Sequence, residues 1–125
     1  RVLDIVHNKM DIAICDISAT AHMPDVLEYP YRPDIDGALP VESAPYVYKI
    51  AGNTCLAADI IGDYAFNAPL TVGQHLVFTD MGHYTLVKTT NFNGVNQPSV
   101  GIINKLDKIV LKRRSSYQYF KEPLS

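Results

Sequence analysis

Val2-Leu3-Asp4-Ile5-Val6-His7, a break at Asn8-Lys9, and then Asp11-Ile12-Ala13-Ile14-Cys15-Asp16-Ile17-Ser18 decide the fold class. Short apolar runs bounded by polar residues are the mark of strands. Residues 2–7 and 11–18 therefore read as two strands, with Asn8-Lys9 as a hairpin turn. In the second strand Ile12 and Ile14 share one face while Ala13, Cys15 and Ile17 share the other. On this reading Cys15 is a core residue.

Outward from the hairpin, residues 24–45 hold Pro24, Pro30, Pro33, Pro40, Pro45 and Gly37. They predict a strand around 26–31 followed by an irregular surface loop. Tyr46 to Ile50 reads as a further strand ending at the Gly52-Asn53 turn. Cys55 to Ile61 is expected to make a short helical turn, which Leu56, Ala57 and Ala58 tolerate. Val72-Gly73-Gln74 reads as a turn opening a strand at His75 to Phe78, and Tyr84 to Thr90 reads as another strand from its Thr and Val content. Asn93-Gly94 is a turn, and Ser99 to Asn104 and Ile109 to Lys112 are short strands. Ser115 or Ser116 is expected to cap a last helical turn through Tyr119 and Lys121, ended by Pro123. About seven or eight short strands with turns roughly every ten residues point to a mainly β barrel or sandwich.

Composition narrows the function classes. The 125 residues suit one domain that buries roughly two thirds of its unfolded surface. With 47% hydrophobic and 19% charged residues the chain has the makings of a packed core. A net charge of -2 and a lone basic triplet, Lys112-Arg113-Arg114, argue against a nucleic-acid partner. No apolar run nears the roughly 20 residues that cross a bilayer, so no membrane partner is expected. Cys15 and Cys55 do not make a disulfide scaffold and read as reduced thiols of a cytoplasmic protein. The chain opens at Arg1 straight into a strand, which reads as a domain of a longer protein.

Gly52-Asn53-Thr54-Cys55-Leu56-Ala57-Ala58-Asp59 is the segment richest in chemistry. A thiol just after a Gly-Asn-Thr turn sits on a loop and can face a cleft. Read alone, Cys55 is either a packed thiol at the base of a turn or a proton donor or nucleophile, which needs partial exposure and a polar neighbour. Asp59, four residues on, would share a face with it if the segment turned helically; alone it reads as a surface acid. Tyr84 is either a barrel tyrosine with its hydroxyl at the rim or a donor to a phosphate or carboxylate. In an extended segment His83 would point to the opposite face. His22 near a turn reads as structural. No histidine pair has metal-ligand spacing, so no metal is assigned.

These segments in order, Gly52-Asn53-Thr54-Cys55 with Asp59, Val72-Gly73-Gln74, Met81-Gly82-His83-Tyr84-Thr85 and Phe92-Asn93-Gly94, resemble the C-terminal β-domain of the fold-type III, pyridoxal 5'-phosphate-dependent decarboxylases. Through Ser18-Ala19-Thr20-Ala21-His22-Met23-Pro24-Asp25-Val26-Leu27-Glu28 and Asn53-Thr54-Cys55-Leu56-Ala57 the chain is more similar to the carboxynorspermidine and carboxyspermidine decarboxylases than to those acting on ornithine or diaminopimelate. The similarity runs from about Val2 to Gly101.

The resemblance implies a Greek-key β-barrel or sandwich of the alanine racemase C-terminal-domain type, spanning residues 1–125 with a short C-terminal helix. It also implies a partner (β/α)8 barrel, not present in this chain. Lys9, Lys49 and Lys88 onward do not match the family's cofactor-lysine motif, so the Schiff-base lysine is expected on that barrel. By the same resemblance Cys55 is the catalytic proton donor, reaching the site of a partner subunit in a homodimer. Tyr84 binds the cofactor phosphate, and Asp59 meets the substrate's distal amino group. Leu56 stands where ornithine and diaminopimelate decarboxylases carry an acid, which favours a longer polyamine substrate. The activity implied is release of carbon dioxide from carboxynorspermidine or carboxyspermidine in polyamine biosynthesis. The alternatives are a same-fold decarboxylase of diaminopimelate, ornithine or lysine, a non-catalytic regulatory homologue, and a free-standing binding module.

Overall fold

The backbone of the opening stretch pairs with itself. In the computed structural model, which describes residues 1–122, β1 (Val2–Asn8) and β2 (Met10–Cys15) form an antiparallel hairpin. It turns on Lys9, whose φ of 64° lies in the left-handed region. Val2, Ala13 and Cys15 are buried. Burial pushes the Cys15 thiol above its ordinary pKa, as expected of a core thiol.

β3 (Tyr46–Ala51) lies parallel to β2, and β4 (Ile60–Phe66) antiparallel to β3, giving a four-stranded sheet in the order β1-β2-β3-β4. A parallel pair needs a long crossover, and residues 16–45 supply it. A separate antiparallel hairpin joins β5 (Val100–Ile103) to β6 (Ile109–Arg113). The fold is thus mainly β, and the sheets formed by the described residues are open rather than closed into a barrel. The chain divides into two compact units, one over Arg1–Thr89 and a second beginning at Thr90.

Several elements differ from their sequence reading. The strand expected around 26–31 is a helical turn, α2 (Asp25–Glu28), which starts at Pro24 with φ -62°, a value ready-made for a helix start. Before it stands α1 (Ala19–His22), capped by Ser18 Oγ, which accepts from Ala21 N at 3.0 Å. The expected strand over 84–90 is also helical, α3 (Tyr84–Lys88). Its last turn is closed by Thr89, whose N–H and Oγ1 both donate to Thr85 O. This internal bonding outweighs a weak β propensity. His75 to Phe78 makes only an isolated bridge, Ile35 to Phe78.

The expected helical turn at Cys55 to Ile61 is replaced by a loop running into β4. Gly62 and Asp63 obscure that strand in the sequence. In the fold Asp63 faces Lys49 across the ladder and accepts from its Nζ at 2.7 Å, a cross-strand pair worth roughly 0.2–1 kcal/mol. The Arg32 side chain covers Gly62 and stacks 4.9 Å from the Tyr64 ring centroid. The final helical turn, α4 (Gln118–Lys121), has Tyr117 at its N-cap, not Ser115 or Ser116. Pro123, expected to end it, lies outside the described residues.

The core of the first unit lies between the sheet and the crossover. Ile50, Ile61, Tyr64, Phe66 and Leu70 pack with Ala19, Met23, Val26 and Ile35. Two buried tyrosines tie loops to it: Tyr64 donates to Pro33 O at 2.6 Å, and Tyr48 Oη accepts from Leu70 N at 3.2 Å.

Candidate functional site

Cys55 is carried on residues 52–59, the connection between β3 and β4. The loop is closed at its base by backbone bonds: Gly52 N donates to Asp59 O at 2.7 Å, and Asp59 N donates to Leu56 O at 3.0 Å. Asn53 N donates to Ile17 O at 3.1 Å, fastening the loop to the end of the β1–β2 hairpin. Cys55 and its followers Leu56, Ala57 and Ala58 are exposed.

Asp59 is the opposite case. Only 4% exposed, its carboxylate takes four hydrogen bonds. Oδ1 accepts from Ser18 Oγ at 3.1 Å and Thr20 N at 3.2 Å; Oδ2 accepts from Thr54 N at 3.1 Å and Thr54 Oγ1 at 2.5 Å. A buried carboxylate survives only when satisfied in this way. Ser18 serves twice, as acceptor in the α1 cap and as donor to Asp59. Gly52 belongs to the same arrangement, because a Cβ there would lie 2.3 Å from Asp59 Oδ2 and 2.7 Å from Ile17 O. Cys55 and Asp59 are thus neighbours on one loop but not on one face, and the helical spacing expected of them is not realised.

Tyr84 opens α3, which packs against α1 and α2 through buried Thr85. The phenol is 66% exposed and lines a pocket of about 300 Å³ with Asp25, Tyr29, Tyr31, His83 and Lys88. His83 shares this pocket rather than facing away, because a helix start brings adjacent residues to one side where a strand would separate them. The two rings meet edge to face with centroids 6.0 Å apart. Lys88 Nζ lies 5.9 Å from the Tyr84 ring centroid and pairs with Glu28, whose hydrogen bond raises the lysine's pKa. Neither Cys55 nor Asp59 lines this pocket.

Sequence reasoning missed the second acid of this region. Asp25 is 8% exposed and accepts from Tyr31 Oη at 2.6 Å through Oδ2. Its Oδ1 is buried with no hydrogen-bond partner among the described residues. Partial burial, then the Asp25 carboxylate, push the Tyr31 phenol up to about 12. His22 Nδ1 accepts from Ser18 N at 3.1 Å. Phe92-Asn93-Gly94 forms a short 3-10 turn in the second unit, with Asn93 at φ 58°.

Comparison with known proteins decides the family. The model of the pyridoxal-dependent decarboxylase C-terminal sheet domain matches residues 1–82. The chain belongs to this family. It is 48% identical over 112 residues to carboxyaminopropylagmatine decarboxylase of Synechocystis sp., covering 90% of this chain and 29% of that protein. It is 37% identical over 128 residues to the carboxynorspermidine/carboxyspermidine decarboxylase of Campylobacter jejuni, covering 94% of this chain and 34% of that one. The crystal structure of carboxynorspermidine decarboxylase from Campylobacter jejuni, complexed with norspermidine, superposes with a TM-score of 0.93 at 35% identity, over 98% of this chain and 36% of that one. This sheet domain therefore spans 29% to 36% of the length of these relatives.

Proposed function

We propose that the chain is the C-terminal part of a decarboxylase that releases carbon dioxide from carboxynorspermidine or carboxyspermidine, giving norspermidine or spermidine. The observation that carries this reading is an exposed thiol, Cys55, on a loop whose base is fastened by a buried carboxylate. A proton donor has to be reachable yet held in place.

We read the Tyr84 pocket as the one that meets the phosphate end of pyridoxal 5'-phosphate. An accessible phenol stands there beside the His83 ring and Lys88, whose ammonium pairs with Glu28, with the Asp25 carboxylate in the same lining. Tyr84 would donate to the phosphate. When bound, the cofactor supplies an electron sink for the pair left as carbon dioxide departs. Cys55 Sγ holds the proton destined for that carbon. Leu56, 39% exposed beside it, offers the substrate's methylene chain an apolar wall. The protein is read as a cytoplasmic homodimer, completed by a barrel domain, in which Cys55 and Tyr84 serve different active sites. The absence of Cys55 from the lining of the Tyr84 pocket supports this division.

In the full-length enzyme, Cys55→Ala is expected to lower turnover about a hundredfold. Unchanged turnover together with unchanged stereochemistry of deuterium delivery in D2O would remove the thiol from the reaction. The shared site has its own check. Mixing Cys55→Ala protein with Tyr84→Ala protein leaves one intact site per mixed dimer, so about a quarter of wild-type activity should return after subunit exchange. No recovery would place both residues in one subunit's site. A second substrate reading, carboxyaminopropylagmatine, is favoured by the 48% identity to the Synechocystis protein. Comparing kcat/KM on the three carboxylated polyamines, with diaminopimelate, ornithine and lysine as controls, decides between them.

A further inference from the structure

We infer that Asp59 is a positioning residue, which sets the Cys55 loop and does not meet the substrate. The inference rests on the reading of Cys55 as proton donor. The sequence pointed Asp59 at a distal ammonium, but an acid that recognises substrate has to offer it a lone pair. The Asp59 carboxylate is 4% exposed, and each oxygen already accepts two hydrogen bonds.

The identity of those donors shows what the carboxylate organises. Two come from Thr54, the residue before Cys55, through its N–H and its hydroxyl. The other two come from Ser18 Oγ and Thr20 N, at the start of α1. One side chain therefore joins the thiol's own loop to the crossover that leaves β2. Four charge-assisted bonds at one group hold geometry more tightly than the backbone contacts of an exposed loop. Gly52 lets the carboxylate approach the loop's base, where any Cβ would displace it. Cys55 follows Thr54 directly, so a shift of Thr54 is transmitted to the thiol. A misplacement on the order of 1 Å is enough to cost about a hundredfold in rate.

The test compares Asp59→Asn with wild type in the full-length holoenzyme, by steady-state kinetics and hydrogen exchange. The expected result is a kcat lower by about tenfold or more with KM within about twofold, the signature of a lost transition-state interaction. Exchange over residues 52–59 should quicken by about tenfold while the β1–β2 hairpin stays protected. A KM raised about tenfold with an unchanged loop would overturn the inference and return Asp59 to the substrate. A freed loop with unchanged kcat would overturn it as well. Should Asp59→Asn fail to fold, Thr54→Val and Thr54→Ser replace it. Valine removes one donor and should lower kcat about threefold, and serine keeps the hydroxyl and should restore it. Equal rates for the two would count against the inference. If wild type turns over none of the three polyamines, the functional reading falls, and the exchange comparison alone still upholds or refutes the anchoring by Asp59.

Discussion

Two buried aspartates lie near the two candidate residues, and they are bonded very differently. Asp59, on the Cys55 loop, has both oxygens doubly bonded. Asp25, in the Tyr84 pocket, takes one bond from Tyr31 and keeps a buried oxygen unpaired among the described residues. Burying a carboxylate is costly in both places, but only at Asp59 is the cost offset within the described fold. The comparison teaches that burial alone does not define a role. A fully satisfied acid stiffens its surroundings, whereas a half-satisfied one contributes little to holding its pocket in a single arrangement.

The harshest way to break this contrast is Gly52→Ala. Its Cβ would sit 2.3 Å from Asp59 Oδ2 and 2.7 Å from the Ile17 carbonyl, so backbone must move. A loss of about 3 kcal/mol in unfolding free energy is expected from urea denaturation of the full-length protein. A cost below about 0.5 kcal/mol would mean that the loop is not tightly built.

The paired substitutions Asp59→Asn and Asp25→Asn sharpen it further. An amide at Asp59 turns its NH2 toward groups that are themselves donors, costing about 2 kcal/mol. At Asp25 the amide oxygen can still accept from Tyr31, so the cost should stay under about 1 kcal/mol. Equal costs in the same denaturation experiment would erase the distinction between the two sites.

The smallest effect lies in the alkaline limb of stability. Tyr31 has its pKa raised from 10.0 to about 12 in the folded state, by desolvation first and then by Asp25. Between those values the unfolded chain gives up the phenolic proton while the folded protein keeps it. Stability therefore falls as pH rises from about 10 to about 12. Buried Tyr64 is shifted upward too, mainly by desolvation, and acts in the same direction. Tyr31→Phe should make the fall in thermal midpoint over this range shallower without abolishing it. A slope identical to wild type would show that the Tyr31 phenol is not held above its ordinary pKa in solution.

Much of the β framework was legible because it rests on local signals. β1, β3, β5 and β6 each show short apolar runs between turn residues and formed within a residue of their expected limits, whereas β2 stops at Cys15, three residues before its expected end. The helices α2 and α3 were not legible. Four or five residues are too few to show a 3.6-residue period, and both are held by neighbours that the sequence does not place beside them. β4 was hidden because Asp63 reads as a breaker until Lys49 stands opposite it. At the site, the Gly-Asn-Thr turn placed Cys55 on a loop, since turn chemistry is local, but left open whether the thiol is packed or exposed. Asp59 looked like a surface acid, since nothing near it in the chain shows that Ser18 and Thr20 will donate to it.

What the sequence determined by itself was the mainly β class, the loop position of Cys55 and, through a string of motifs in register, the family. Each depends on residues within a few positions of one another or on their order along the chain. The tertiary structure alone decided which acid was buried, which was satisfied, and that His83 would share a pocket with Tyr84. Those properties depend on donors and rings brought together from distant segments, because a carboxylate's role is set by the groups that surround it in space.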